Sequence, residues 1–269
     1  MSRLTQLTMA CAMMSCAAGC DGLTKQLGDA AVSASDARVL TKDDGGSPEY
    51  SPCSSQPCRY MPLGDSITEG YEGGYRVPLF RRAVAANKWL TFVGSQANGP
   101  EMVDGLAFSR QHEGHSGYSI DASHSQNNLS DLVDASLQSH RPQIIALMIG
   151  ANDVARAHFT DSPERLAALL DQIARDAPDA TIVLAKITPT RDDATNALVV
   201  AYNAAMNELV RVRIEQGRHI TLVDMYSAFI ANPNYKTEWL LDMFHPNSAG
   251  DEVLAQVWFD AINRWLPPR

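Results

Sequence analysis

Apolar positions along this chain follow two alternating patterns. Short continuous runs occupy residues 60–63, 90–93, 144–149, 182–185 and 220–223. A strand with one wet face alternates apolar and polar positions, so unbroken runs indicate strands buried on both faces, as in a parallel sheet covered by helices. Between the runs the period lengthens to that of a helix. Leu129, Leu132, Val133 and Leu137 share one helical face, and so do Leu166, Leu169, Leu170 and Ile173. A third stripe holds Leu198, Tyr202, Met206 and Leu209, and a fourth holds Val253, Leu254, Val257 and Trp258. Ser162 as N-cap with Pro163 opens the second helix, and Gly217 closes the third. Five strands alternating with helices predict an α/β fold, a three-layer α/β/α sandwich around a five-stranded parallel sheet. Pro62 is discordant. Its missing N–H argues against a regular central strand and places it near the strand's carboxyl end.

The first 57 residues lack this pattern. Arg3 precedes a modest apolar stretch, residues 4–18, that ends in small residues, as a secretory signal over residues 1–19 does. Ala17-Ala18-Gly19-Cys20 resembles a bacterial lipobox, which makes Cys20 the expected lipidated N-terminus of a cell-envelope protein. Cleavage near Gly19 without lipid is the alternative, and the protein is then simply secreted. Residues 20–57 are rich in Gly, Ala, Ser and Asp and read as a flexible tether before a domain at 58–269. Cys53 and Cys58 are expected to form a local disulfide in an oxidising compartment. Cys11, Cys16 and Cys20 fall in the leader, so the domain keeps no free thiol for catalysis.

Charge narrows the function classes. Lys and Arg total 22 against 31 Asp and Glu, a formal net charge of −9. Nucleic acid binding calls for a basic face and is disfavoured. No run of about 20 apolar residues is long enough to span a bilayer, so membrane association would come only through the lipid.

Several segments carry candidate chemistry. Gly64-Asp65-Ser66 follows the first apolar run, and Ser66 offers a hydroxyl that becomes nucleophilic only beside a base. Asp242 and His245 lie three apart near the other end, so one loop can hold both carboxylate and imidazole. Gly150-Ala151-Asn152-Asp153 follows the third run. Asn152 there can donate to an oxyanion, while Asp153 ties down the loop. Ser66 and Asn152 both follow strand ends, the rim where such sheets bind ligands. His112-Glu113-Gly114-His115 looks superficially like a zinc site. Its histidines are three apart in a Gly- and Ser-rich stretch, whereas zinc helices need them four apart, so no metal is expected. Gly64-Asp65-Ser66-Ile67-Thr68 also lacks the second glycine of the α/β-hydrolase elbow.

Taken in order, these segments resemble the four blocks of the SGNH, or GDSL-type, hydrolase superfamily, from Arg59 to the C-terminus. The resemblance implies Ser66 as nucleophile, Asp242 and His245 as the rest of a triad, and Ser66, Gly114 and Asn152 as oxyanion donors, with no cofactor. Met61-Pro62-Leu63-Gly64-Asp65-Ser66-Ile67-Thr68, Gly73-Gly74-Tyr75-Arg76, Phe92-Val93-Gly94-Ser95 and His112-Glu113-Gly114-His115-Ser116-Gly117 look like carbohydrate esterase family 3, which includes acetylxylan esterases. Many members carry Trp where this chain has Tyr118, and Asp65 and Tyr118 are the candidate substrate contacts. The expectation is a serine esterase removing short acyl groups, acetyl first, from carbohydrate. A lipase, thioesterase or arylesterase of the same superfamily is the enzymatic alternative, and a non-catalytic glycan-binding lipoprotein is the alternative from another class.

Overall fold

The computed structural model describes residues 50–53, 57–156 and 160–269. The expected leader, the expected lipobox with Cys20 and most of the expected tether lie outside the described residues. In chain order the strands are β1 (Arg59–Gly64), β2 (Thr91–Phe92), β3 (Gln96–Ala97), β4 (Met102–Val103), β5 (Leu106–Ala107), β6 (Gln111–Gly114), β7 (Ile144–Met148), β8 (Thr181–Lys186) and β9 (Ile220–Asp224). The helices are α1 (Ser66–Glu69), α2 (Arg76–Ala85), α3 (Val133–His140), α4 (Ala151–Ala155), α5 (Ser162–Asp176), α6 (Asp193–Glu215), α7 (Met225–Ile230), α8 (Tyr235–Glu238) and α9 (Ser248–Ile262).

The central sheet runs β3-β6-β1-β7-β8-β9, with β2 also beside β1. Every pairing is parallel except β3 with β6. All five residues of β7 are buried, as the unbroken apolar run requires. Helix α9 packs against α2 and α7, α5 packs against α3 and α6, and both α6 and α9 reach β9. The sandwich follows the sequence expectation, with β6 as an additional parallel strand. Its four residues, Gln-His-Glu-Gly, carry no apolar run, so hydrophobic patterning cannot find it.

Pro62 sits in the middle of a central strand, not at its end. Its position still costs no hydrogen bond. Tyr60 O accepts from Val93 N at 2.9 Å and Gly64 O from His115 N at 3.0 Å. Alternate residues of a strand address the same edge, so the Pro62 nitrogen faces the point where β1 exchanges β2 for β6 as neighbour. No ladder donor is needed there.

Two boundaries shift from expectation. Asp161, not Ser162, precedes α5, and it makes no side-chain cap because its carboxylate serves His124 and the Arg165 Nε. The tether expectation also fails at residues 50–53. Tyr50 stacks on His219 with ring centroids 3.7 Å apart, Gln143 Nε2 donates to Pro52 O at 3.0 Å, and Cys53 forms the expected disulfide with fully buried Cys58.

Candidate active site

Strand order places the site. β6, β1 and β7 are neighbours, and Gly64 is in register with both Gly114 and Met148. The three segments that leave these strands therefore reach one rim, carrying Ser66, the turn 115–118 and Asn152. Gly64 is required for this approach, since a Cβ there would lie 2.1 Å from Met148 O. Asp65 caps α1, accepting from Ile67 N at 3.0 Å. Ser66 thus enters the helix at a fixed angle.

Asp65 does not contact substrate as expected, because it is buried beneath the rim. Burial pushes its carboxyl up to about 7, against the Ile67 N–H and the His245 ring, which favour its charge. A carboxyl whose folded-state value is raised binds protons more tightly folded than unfolded. Its contribution is most favourable below pH 3.8 and is lost as pH rises to about 7. Asp65→Asn keeps a capping oxygen and removes this penalty. Thermal melts should show the variant more stable than wild type at pH 8, with the advantage vanishing near pH 4. An equal difference at both pH values would contradict this account.

The imidazole that meets Ser66 arrives on a tight loop. Leu241 N donates to His245 O at 2.8 Å, Asn247 N to Trp239 O at 3.0 Å, and Arg191 N to Met243 O at 3.1 Å. Asn247 then caps α9, accepting from Ala249 N and Gly250 N. Inside this loop Asp242 Oδ1 accepts from the backbone N–H groups of Phe244 and His245, each at 2.9 Å. Its Oδ2 lies 2.8 Å from His245 Nδ1, and His245 Nε2 lies 2.8 Å from Ser66 Oγ, across 179 residues of sequence. Partial burial works against the Asp242 charge, but those N–H donors and the ring hold its carboxyl below the ordinary range. The carboxylate stays ionised at neutral pH and fixes the tautomer with Nδ1–H, which leaves Nε2 free to accept the Ser66 proton. Ser66, His245 and Asp242, the three residues singled out in the sequence, thus lie in one hydrogen-bonded chain.

Gly114, expected as an oxyanion donor, has its N–H already engaged. Its N–H donates to His112 Nδ1 at 3.1 Å, and a Cβ would lie 2.2 Å from Glu69 N, so this glycine serves the packing of β6 under α1. Glu113 organises the segment, accepting from Ser95 N, Ser95 Oγ and Ser136 Oγ at 2.6–2.8 Å and facing His115 Nε2 at 2.7 Å. Burial opposes its charge, yet these donors draw its carboxyl down to about 2. His112 is buried, and burial together with Arg76 and His115 lowers its ring to about 3. Residues 115–118 then turn, with Tyr118 N donating to His115 O and Gly117 at φ +77°, a conformation that favours glycine. Arg156 Nη1 holds Gly117 O at 3.1 Å, and Asn152 Nδ2 holds Tyr118 O at 2.9 Å. Asn152 is tied directly to this turn, and its second amide hydrogen is used by no described residue. The Tyr118 ring packs beside His115 with centroids 4.8 Å apart.

Asn152 owes its position to two buried neighbours. Gly150, at φ +116°, lies so close to Tyr202 that a Cβ would meet the ring at 2.5 Å. Asp153 is fully buried, accepts from Ile120 N and pairs with Arg165, so it holds the loop as expected. Arg76, quoted in the Gly73-Gly74-Tyr75-Arg76 segment without a role, is fully buried. Its guanidinium donates to Glu69 O at 3.0 Å and Arg110 O at 2.9 Å and also reaches Asn98, clamping the end of α1. Burial lowers it to about 10.

The chain is similar to known proteins over this same region. The sequence signature of the GDSL-like Lipase/Acylhydrolase family matches residues 63–253. A "Multidomain esterase" of Ruminococcus flavefaciens is 27% identical over 238 residues, covering 77% of this chain. The match spans only 29% of that esterase's length. Among solved structures, a Clostridium thermocellum family 3 carbohydrate esterase is 28% identical with a TM-score of 0.65, covering 78% of this chain and 99% of that one. A carbohydrate esterase family 3 structure from Talaromyces cellulolyticus is 25% identical with a TM-score of 0.64, covering 77% and 97%. The matched signature runs from the strand before Ser66 into the helix after His245, and the chain belongs to the GDSL-like lipase/acylhydrolase family, as a carboxylic ester hydrolase.

Proposed function

We propose that this hydrolase removes short acyl groups, acetyl foremost, from acylated carbohydrate, in the cell envelope or outside the cell. The supporting observation is the unbroken contact chain from Asp242 through His245 to Ser66, with 2.8 Å at each step. His245 Nε2 takes the Ser66 proton as Oγ attacks the ester carbonyl. The tetrahedral intermediate collapses, its alcohol leaves with that proton, and an acyl-Ser66 remains. Water, deprotonated by His245, then attacks the acyl carbon and releases the carboxylic acid and Ser66. No step calls for a metal or organic cofactor.

The oxyanion would be met by the Ser66 N–H, the Asn152 amide and a glycine N–H. We assign that last donor to Gly117 in place of Gly114, because His112 already engages Gly114 N–H while Gly117 shares its turn with the Asn152 anchor. Asn152→Ala should reduce kcat by about 10²–10³ with a smaller change in KM, since the amide meets charge that develops only in the transition state. Steady-state kinetics on p-nitrophenyl acetate check this, and a change confined to KM would mark Asn152 as a ground-state binder.

The carbohydrate assignment draws on the likeness to the family 3 carbohydrate esterases, and the short acyl preference on the lack of any long apolar insertion that could enclose a fatty chain. The test is an acyl series of p-nitrophenyl esters together with acetate release from acetylated xylan. Rates falling steeply beyond short acyl chains, with acetate released from the polymer, support the reading. A preference for long chains, or aryl ester turnover without polymer deacetylation, would favour the lipase or arylesterase alternatives.

A further inference from the structure

Single exposed aromatic side chains are ordinary on protein surfaces. Tyr71 is distinguished by its setting. It is 84% exposed, and among the described residues its ring has no partner. The other two exposed aromatics among the described residues are occupied, Tyr50 by stacking on His219 and Trp89 by the Arg269 guanidinium 4.6 Å from its ring centroid.

The backbone that presents Tyr71 is held firmly. Asn98 Nδ2 donates to Glu69 O at 3.1 Å and Gly70 O at 2.9 Å, the buried Arg76 donates to Glu69 O, and Gly74 N closes on Tyr71 O at 2.9 Å. Within five residues the chain adopts positive φ four times, at Gly70, Glu72, Gly73 and Gly74. Glu72 is not a glycine, and its φ of +50° is a strained choice that surrounding structure must sustain. A buried polar clamp therefore supports a strained loop whose outward product is one bare phenol ring.

That loop begins one turn after the nucleophile. Gly70 N bonds back to Ser66 O at 2.9 Å. One α-helical turn plus one Cα step puts the Tyr71 Cα within about 10 Å of the Ser66 Cα. Leu241 and Met243, also exposed, flank Asp242 on the other catalytic loop. Exposed apolar side chains thus lie on both segments that carry Ser66 and His245, and an arm of this length from Ser66 suits the alcohol side of the ester.

We propose that Tyr71 is a specificity-determining residue whose ring stacks on a sugar of the leaving alcohol, holding an acylated saccharide with its ester at Ser66. This rests on the carbohydrate reading above. A flat aromatic face binds the C–H face of a pyranose without demanding one hydroxyl pattern, so the contact would favour saccharide esters as a class. It would be made by the ring, with the phenolic hydroxyl contributing little.

The experiment compares acetylated xylo-oligosaccharide with methyl acetate, whose alcohol is too small to stack. Wild type, Tyr71→Ala and Tyr71→Phe are each scored by the ratio of kcat/KM on the two substrates, with folding checked by circular dichroism. Tyr71→Ala should lower the ratio about tenfold, the scale of one well-made aromatic contact, chiefly through KM on the saccharide. Tyr71→Phe should restore it to within about twofold of wild type. An unaltered ratio in Tyr71→Ala, with wild type deacetylating the saccharide, would overturn the Tyr71 assignment alone. Failure of wild type to deacetylate the saccharide would overturn the carbohydrate reading and this proposal together.

Discussion

Ser66→Ala is expected to lower kcat by about 10⁴–10⁶, the range seen when a serine hydrolase loses its nucleophile and keeps the rest of its site. The structure gives Ser66 Oγ one side-chain partner, His245 Nε2, at a half-exposed position where water can replace the hydroxyl. The turn itself is built by Gly64 against Met148, by the Asp65 cap and by the bond from Gly70 N to Ser66 O, none of which uses the hydroxyl. The melting temperature should therefore move little while turnover collapses. Purified variant with a native melt and appreciable p-nitrophenyl acetate turnover would remove Ser66 from the nucleophile role.

Asp242→Asn should cost about 10⁴ in kcat, as in a serine protease whose carboxylate is replaced by an amide. The reason lies in how the loop would orient the new side chain. Asp242 Oδ1 accepts from two backbone N–H groups, so an asparagine would keep its oxygen there and turn its NH₂ toward His245 Nδ1. Nδ1 would then have to accept a hydrogen bond, which puts the ring proton on Nε2, facing Ser66. The base would be in the wrong tautomer at the correct position. His245→Ala should cost at least as much. If Asp242→Asn kept most of its activity while His245→Ala lost it, the carboxylate would be a loop-structuring group and the enzyme a Ser–His dyad.

Much of this protein is legible from sequence because its information is local or periodic. Unbroken apolar runs identify β1, β7, β8 and β9, and 3.6-residue stripes identify α5, α6 and α9. Ser66, Asp242 and His245 could be singled out because each sits in a short segment whose residue types have few other joint uses. What stayed hidden depends on long-range packing. Strand β6 has a polar sequence and exists because β1 offers an edge once β2 ends. Pro62 is tolerated in a central strand only because that exchange occurs opposite it. Helix α2 carries Pro78 and a buried Arg76, an unpromising stripe until Trp258 of α9 lies across from Tyr75. Asp65 reads as a polar residue beside a nucleophile, and only its burial reveals a cap. The choice between Gly114 and Gly117 turns on which N–H is already engaged, and spacing alone does not record that.

Ser66 as the residue that carries the acyl group is checked by treating the enzyme with a fluorophosphonate and mapping the adduct by peptide mass spectrometry. One phosphonyl group on the peptide containing Ser66, with matching loss of esterase activity and no labelling of Ser66→Ala, is the predicted result. Stoichiometric inactivation with the adduct on another residue, or full activity retained after Ser66 is modified, would remove Ser66 from the acyl-carrying role.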